Sequence, residues 1–348
     1  MNRVLFIGGP GNISSSTAAD LLERGDKVAV FTLPGSSDDE SLGPKLKMYW
    51  GNRNHPDEIE SAMNDFNPDI VIDYSCFSPD QAEQLLKIIY GRLKQFIFIS
   101  TVDVYGFPLS RLPMREDDPW GLPNCTYAAD KRACEELYWS KFHKEKFPLT
   151  VVRPAYSMGK RFVLTDLTRN GGEYLIPRLR TGMPVLVVGD GTTLIHVSSS
   201  YNTGRMIARL AGNETSIGKS YTCGHNTFTT HDGYIKIFAG VLGVEANIIH
   251  VPSDLLNSMN SKEINESILN ILTRHNVAFS VDNFIKDFPD FKWDKSLEDA
   301  AREYVEWNDH MGNFADVNEE IFEDRIIKTW QACAKNFRVN SEGIHFEP

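Results

Sequence analysis

The chain has 348 residues, 41% of them apolar, with a formal charge of −11 and a pI near 5.3. That length fits one large α/β domain with a smaller appendage, and the negative charge argues against broad nucleic-acid or anionic-membrane binding, which points to a small-molecule ligand. Five scattered cysteines (Cys76, Cys125, Cys134, Cys223, Cys333) include no Cys-x-x-Cys pair, so neither a disulfide framework nor a metal site is expected and the thiols are read as reduced.

The first apolar run, residues 4–7, is too short for a signal peptide and ends in glycines. No later run approaches the roughly 18 apolar residues needed to span a bilayer, so the expected compartment is the cytoplasm. Runs at 4–7, 28–31, 46–50, 70–73, 96–99 and 149–152 alternate with helical patterns. Six buried-type strands separated by helices predict a parallel, doubly wound Rossmann sheet over residues 1–155. Arg24-Gly25 has the form of a helix C-terminus, with glycine supplying the left-handed position.

Beyond Arg153-Pro154 the rhythm loosens, with short strands expected at 185–188 and 220–223 and helices near 200–212 and 231–242. Residues 156–340 are read as a substrate-capping lobe interleaved with the Rossmann core. Residues 341–348 are read as a loosely ordered tail.

Gly8-Gly9-Pro10-Gly11-Asn12-Ile13-Ser14 follows the first strand and opens a helix, the context a dinucleotide fingerprint requires. Gly8 makes the tight turn. Gly11 lets backbone N–H groups approach a pyrophosphate at the helix N-terminus, with Asn12 and Ile13 beside it. Ser14 stands where a third glycine is common. The second strand ends at Thr32 with no carboxylate to hold ribose hydroxyls and no arginine for a 2′-phosphate, and Ser36, Ser37 and Asp38-Asp39-Glu40 follow. NAD is preferred and NADP stays open. Asn52, Arg53 and Ser75 are further candidate cofactor contacts.

Three segments in order, the glycine turn, Ile99-Ser100-Thr101-Val102-Asp103-Val104-Tyr105-Gly106 and Tyr127-Ala128-Ala129-Asp130-Lys131, resemble the extended short-chain dehydrogenase/reductase superfamily, in its NAD-dependent epimerase/dehydratase branch. Arg153-Pro154-Ala155-Tyr156-Ser157-Met158-Gly159 continues the likeness. Four residues apart on a helix, Tyr127 and Lys131 share a face, so the ammonium stabilises a phenolate whose free pKa is about 10. The resemblance implies that Thr101, Tyr127 and Lys131 form the family triad, with Tyr127 and Lys131 also contacting the cofactor. A second Tyr-x-x-x-Lys, Tyr90 and Lys94, precedes the fifth strand and is read as structural. In the family's dehydratases an acidic pair follows the threonine; here the pair is Val102-Asp103, so Asp103 is weighed equally as a proton-abstracting base and as a turn-shaping residue.

In the family an arginine between a Gly-Asp-Gly turn and a His-Val strand commonly holds a nucleotide-sugar diphosphate. Here Thr192-Thr193-Leu194-Ile195 replaces that connection and Ser198-Ser199-Ser200 replaces the acids after it. Tyr156, Arg178 and His196 are the substrate candidates, with Lys160, Arg161, Arg180 and Arg205 as further possible clamp cations. The expected activity is epimerisation or dehydration of a sugar-like, nucleotide-linked alcohol through a transient ketone. A small-ketone reductase and an RNA-associated relative, like the chloroplast stem-loop-binding proteins, are the alternatives. A homodimer pairing the helix over 82–93 with the one beginning near Tyr127 is expected, from Leu85, Ile88, Ile89 and Leu137 at helical spacing and from the resemblance.

Overall fold

The computed structural model describes residues 1–35, 42, 45–165, 167, 172–318 and 320–342. Its first half alternates strands and helices: β1 (Arg3–Ile7), α1 (Ser14–Glu23), β2 (Lys27–Thr32), β3 (Lys47–Trp50), α2 (Pro56–Phe66), β4 (Ile70–Asp73), α3 (Pro79–Ile89), β5 (Gln95–Ile99), α4 (Thr126–Glu145) and β6 (Leu149–Pro154). Then come β7 (Tyr156–Met158), α5 (Gly172–Thr181), β8 (Val185–Val188), β9 (Leu194–Ile195), β10 (Val197–Ser199), α6 (Ser200–Leu210), β11 (Lys219–Cys223), β12 (Thr229–Thr230), α7 (His231–Leu242) and β13 (Ile248–Val251).

The sheet is parallel with strand order β11-β6-β5-β4-β1-β2-β3, which makes the doubly wound Rossmann fold expected from the sequence. Its central strands carry β-branched and aromatic residues buried on both faces, because helices cover both sides. The order reverses between β1 and β4, and α/β sheets open a ligand crevice at such a switch point, at the carboxyl ends of the strands. The segment 220–223, read from sequence in the capping lobe, lies in β11 and pairs with β6 as the seventh strand. The helix expected over 82–93 runs over Pro79–Ile89, started by Ser78, whose hydroxyl accepts from the N–H of Gln81.

Two packings fix the site. On one face, Phe96 and Phe98 of β5 meet Tyr138 of α4 with ring centroids 4.8 and 5.1 Å apart. Each fully buried aromatic of this kind stabilises by roughly 1.5–3 kcal/mol, so α4 is held firmly against β5. On the other face, α6 packs on α1 so closely that a Cβ at Gly204 would lie 2.5 Å from the carbonyl oxygen of Ile13. The Thr17 hydroxyl donates to the Gly204 carbonyl at 3.0 Å across the same contact. Any larger residue at 204 would push the glycine turn out of place.

The later lobe contributes short pairs, β10 with β7, β12 with β9 and β13 with β8. The helix Leu297–Met311 covers α7, and Ile326 and Ile327 of the helix Phe322–Asn340 close over Leu186, Val188 and Val251. Among the described residues, no helix is long and apolar enough to cross a membrane.

Candidate active site

The glycine turn is built for close approach. Gly8 has φ +90°, and a Cβ there would lie 2.8 Å from Ser75, so only glycine fits between β1 and the β4 loop. A Cβ at Gly11 would meet, among the described residues beyond its chain neighbours, only the Ser14 hydroxyl oxygen within 4 Å, and that oxygen accepts from the Gly11 N–H at 2.8 Å. Ser14 thus orders the turn from the position where a third glycine is common. The Asn12 amide donates to the carbonyl of Ser157 at 2.7 Å, tying the turn to β7, while its Oδ1 is buried with no hydrogen-bond partner among the described residues. Ile13 caps α1, and Thr32 ends β2 with its carbonyl accepting from Gly51. Residues 36–40, weighed for ribose or phosphate recognition, lie outside the described residues.

Arg53 reaches from the end of β3 to the end of β4. Its Nη1 lies 2.8 Å from Oδ1 of Asp73 and 3.3 Å from the hydroxyl of Ser75, while its Nε is buried with no hydrogen-bond partner among the described residues. Asp73 is fully buried, and the sequence reading missed it; its signal was a carboxylate ending an otherwise apolar strand. Asn52 turns the chain beside it, its N–H donating to Glu58 and its Oδ1 accepting from the Asn54 N–H. The bare glycine turn, the dipole of α1 and two orphaned polar atoms fit a dinucleotide cradle.

On α4 the buried face is Ala128, Lys131, Cys134, Glu135 and Tyr138, at helical spacing. Lys131 therefore lies in the wall of the site at 2% exposure, with Tyr127 at its edge at 36%. The Lys131 ammonium donates to the carbonyl of Ile99 at 2.7 Å and sits 5.1 Å from the ring centroids of both Phe77 and Phe98. It is 6.0 Å from the ring centroid of Tyr127. Burial pushes the Lys131 pKa down, and the nearby Cys76 and Asp73 oppose that shift. Phe77, another residue the sequence reading missed, stands 6.5 Å from the Tyr127 ring and is half exposed.

Thr101 follows β5, and its Oγ1 accepts from the backbone N–H of Asp103 at 3.2 Å, opening a short 3-10 turn over Val102–Tyr105. Within that turn the Asp103 carboxylate is buried and accepts from the hydroxyl of Tyr156 at 2.6 Å. Thr101 and Asp103 thus follow the carboxyl end of β5, whose last residue, Ile99, accepts from Lys131, with Tyr127 one turn earlier on α4.

Two substrate candidates prove to be engaged inside the protein. Arg178 is buried and donates to Asp324 at 2.6 Å and to the carbonyl of Pro184 at 2.6 and 2.8 Å, so it holds α5 to the helix Phe322–Asn340. His196 is fully buried between Phe228 and Phe279; one ring nitrogen accepts from the Phe279 N–H at 3.2 Å and the other faces the His225 carbonyl at 2.7 Å. Burial pushes its pKa down to about 4, which keeps it neutral and structural. Among the remaining clamp cations, Arg180 pairs with Asp309, Arg205 with Asp294 and Asp20, and Arg161 stacks 5.7 Å from the Trp307 ring. The Tyr90-x-x-x-Lys94 copy lies at the outer end of α3, with Lys94 paired to Asp69.

A family model, the NAD dependent epimerase/dehydratase family, matches residues 4–199, more than half of the chain. A UDP-glucose 4-epimerase of Lactobacillus helveticus is 26% identical over 152 residues, and one of Lacticaseibacillus casei is 24% identical over 155. Each of these matches covers 39% of this chain and 46% of the relative, so they span about half of those proteins' length. Among solved structures, the Bifidobacterium longum UDP-glucose 4-epimerase in complex with NAD+ and UDP superposes with a TM-score of 0.71 at 19% identity, over 89% of this chain and 99% of that one. The Bacillus anthracis dTDP-glucose 4,6-dehydratase in complex with NAD gives 0.68 at 17% identity, over 89% and 97%. At these identities the structural likeness establishes the shared fold.

Proposed function

The chain belongs to the NAD dependent epimerase/dehydratase family, and from that premise we propose that it is an NAD-dependent epimerase or dehydratase of a sugar-like, nucleotide-linked secondary alcohol, working through a transient ketone. The observation that carries this reading is the buried Lys131 beside the more exposed Tyr127, with the Lys131 ammonium bonded to the Ile99 carbonyl at the end of β5, two residues before Thr101.

Gly8, Gly11 and the N-terminus of α1 would hold a pyrophosphate, with Asn12 and Ile13 at its edge. Thr32, Asn52 and Arg53 would lie toward the adenosine side of a bound NAD, and Ser75 and Lys131 toward its nicotinamide ribose. When bound, NAD supplies a reversible hydride acceptor. Tyr127 takes the proton of the substrate hydroxyl onto its phenolate oxygen, and Lys131 lowers the cost of that phenolate through its charge. Thr101 binds the same substrate oxygen. Asp103 receives a proton from the carbon beside the ketone if the reaction continues to elimination, with Tyr156 fixing the carboxylate. Solved UDP-glucose 4-epimerases of the same fold that hold UDP or UDP-glucose support the nucleotide-linked class.

A small-ketone reductase is the second reading, favoured by the pairing of Arg178, Arg180 and Arg205 with carboxylates. The test incubates NAD-loaded protein with UDP- and dTDP-linked hexoses in D₂O, following products by NMR and reduced cofactor by absorbance. Sugar conversion without net NADH accumulation is expected. No conversion of any of them, together with NAD(P)H consumption on small ketones, would replace the first reading by the second.

A homodimer through α3 and α4 also belongs to this reading. Leu85, Ile88 and Ile89 are buried in the core, so such an interface would keep Leu137 and use Tyr90, Trp139 and Phe142 beside it. A monomer in sedimentation at micromolar concentration would exclude it.

A further inference from the structure

Two cysteines outside the proposed chemistry lie beside Lys131. Cys76 sits in the segment between β4 and α3 that also carries Ser75 and Phe77, and Cys134 lies on α4, three residues beyond Lys131 on the same buried face. Their Sγ atoms are 3.8 Å apart although 58 positions separate them in the chain, and both side chains are fully buried. We propose that Cys76 and Cys134 form a reversible disulfide that couples thiol oxidation to the Lys131 end of the cofactor site.

The geometry is close to what the bond needs. Sulfurs in van der Waals contact must approach by about 1.8 Å to reach a bonded separation of about 2.05 Å. Cys134 is fixed by a 20-residue helix packed on β5, so the approach falls to the shorter segment at Cys76. That segment cannot move alone. Ser75 fills the space beneath Gly8, and the Phe77 ring lies over the Lys131 ammonium and beside Tyr127.

The two thiols are also chemically unequal. The contact with Cys76 holds the Cys134 thiol below its ordinary value, burial opposes that shift, and the Lys131 charge on the same helix face supports it. The same contact and burial push Cys76 up. Cys134, on the same α4 face as the Lys131 ammonium, is assigned as the attacking sulfur. Full burial favours a small neutral oxidant, a hydroperoxide. With hydrogen peroxide, the Cys134 sulfur attacks one oxygen, the O–O bond breaks and hydroxide leaves, giving a sulfenic acid. The Cys76 sulfur then attacks that sulfur, the S–S bond forms and the second hydroxide leaves. The two thiol protons convert both hydroxides to water, so the cysteines lose two electrons and the peroxide gains them.

The consequence follows from the segment that carries Cys76. Its neighbours are Ser75, packed beneath Gly8, and Phe77, whose ring lies over the Lys131 ammonium and beside Tyr127. Drawing Cys76 onto Cys134 therefore shifts the residues that frame the glycine turn and Lys131. The effect on cofactor rests on the reading of Lys131 as a cofactor contact, whereas the bond itself does not.

The experiment treats the full chain with hydrogen peroxide, unfolds it, alkylates the remaining thiols and maps peptides by mass spectrometry, with NADH titrations on the reduced and oxidised protein. The expected result is a Cys76–Cys134 cross-linked peptide, reversed by dithiothreitol, and about tenfold weaker NADH binding after oxidation. Cys76→Ser and Cys134→Ser proteins, checked for folding by circular dichroism, should keep their NADH affinity unchanged by peroxide. Cys76 and Cys134 both remaining alkylatable in wild type under peroxide that oxidises the exposed Cys333 would overturn the pairing. A cross-link with unchanged NADH affinity would overturn the coupling. If the reduced protein binds no NADH, the cofactor reading and the coupling fall together, while the peptide map still decides the pairing.

Discussion

The hydroxyl of Tyr156 donates a 2.6 Å hydrogen bond to Oδ1 of Asp103, and both groups are buried at the carboxyl end of the sheet. A buried carboxylate that loses such a charge-assisted bond loses roughly 1.5–3 kcal/mol. Tyr156→Phe should therefore lower the urea unfolding midpoint by that equivalent, and unchanged stability would show that the bond contributes nothing net. Asp103→Asn separates the two roles weighed for this carboxylate. If it is a base, turnover falls by about 10²- to 10⁴-fold and solvent deuterium no longer enters the product. Full turnover by Asp103→Asn would leave it a turn-shaping residue.

Arg53 and Asp73 form a second buried relationship, with side chains 10% and 0% exposed. Removing one member of such a pair leaves a charge stranded, at a cost of about 3–5 kcal/mol. Arg53→Met should show that loss in urea melts, and Arg53→Met with Asp73→Asn should recover most of it. An Arg53→Met protein as stable as wild type would contradict the pairing.

The local patterns in the sequence were enough to place β1 to β6, the glycine turn and the shared face of Tyr127 and Lys131, because periodicity reports which face of a strand or helix is covered. What it did not carry were contacts set by tertiary register. Tyr156 meets Asp103 across 53 residues, Arg178 meets Asp324 across 146, and β11 joins the sheet only by pairing with β6. Arg178 and His196 drew attention as a cation and an imidazole in a substrate-binding region. Their chemistry is consumed by Asp324, Pro184, His225 and Phe279, partners that no local pattern announces.

His196 makes stability depend on pH. Its folded pKa is about 4 because it is buried, against about 6.5 in the unfolded chain. Below pH 6.5 the unfolded state binds a proton that the folded state does not, so this contribution is intact above 6.5 and is lost as pH falls toward 4. The ceiling is on the order of 3 kcal/mol. His196→Gln should be less stable at pH 7 yet show a shallower loss of its urea midpoint between pH 6.5 and 4 than wild type. Equal slopes would mean that His196 is not held neutral.

The central claim is that Lys131 anchors the cofactor while Tyr127 moves the proton, and NADH fluorescence titration of wild type, Tyr127→Phe and Lys131→Met tests it without requiring the substrate. Tyr127→Phe deletes one hydroxyl from a half-exposed ring, so its affinity should stay within about twofold of wild type, a difference below roughly 0.5 kcal/mol. Lys131→Met removes the buried ammonium held at 2.7 Å by the Ile99 carbonyl, and its affinity should fall by about tenfold or more. Equal binding by all three proteins, or no binding by wild type, would contradict the account.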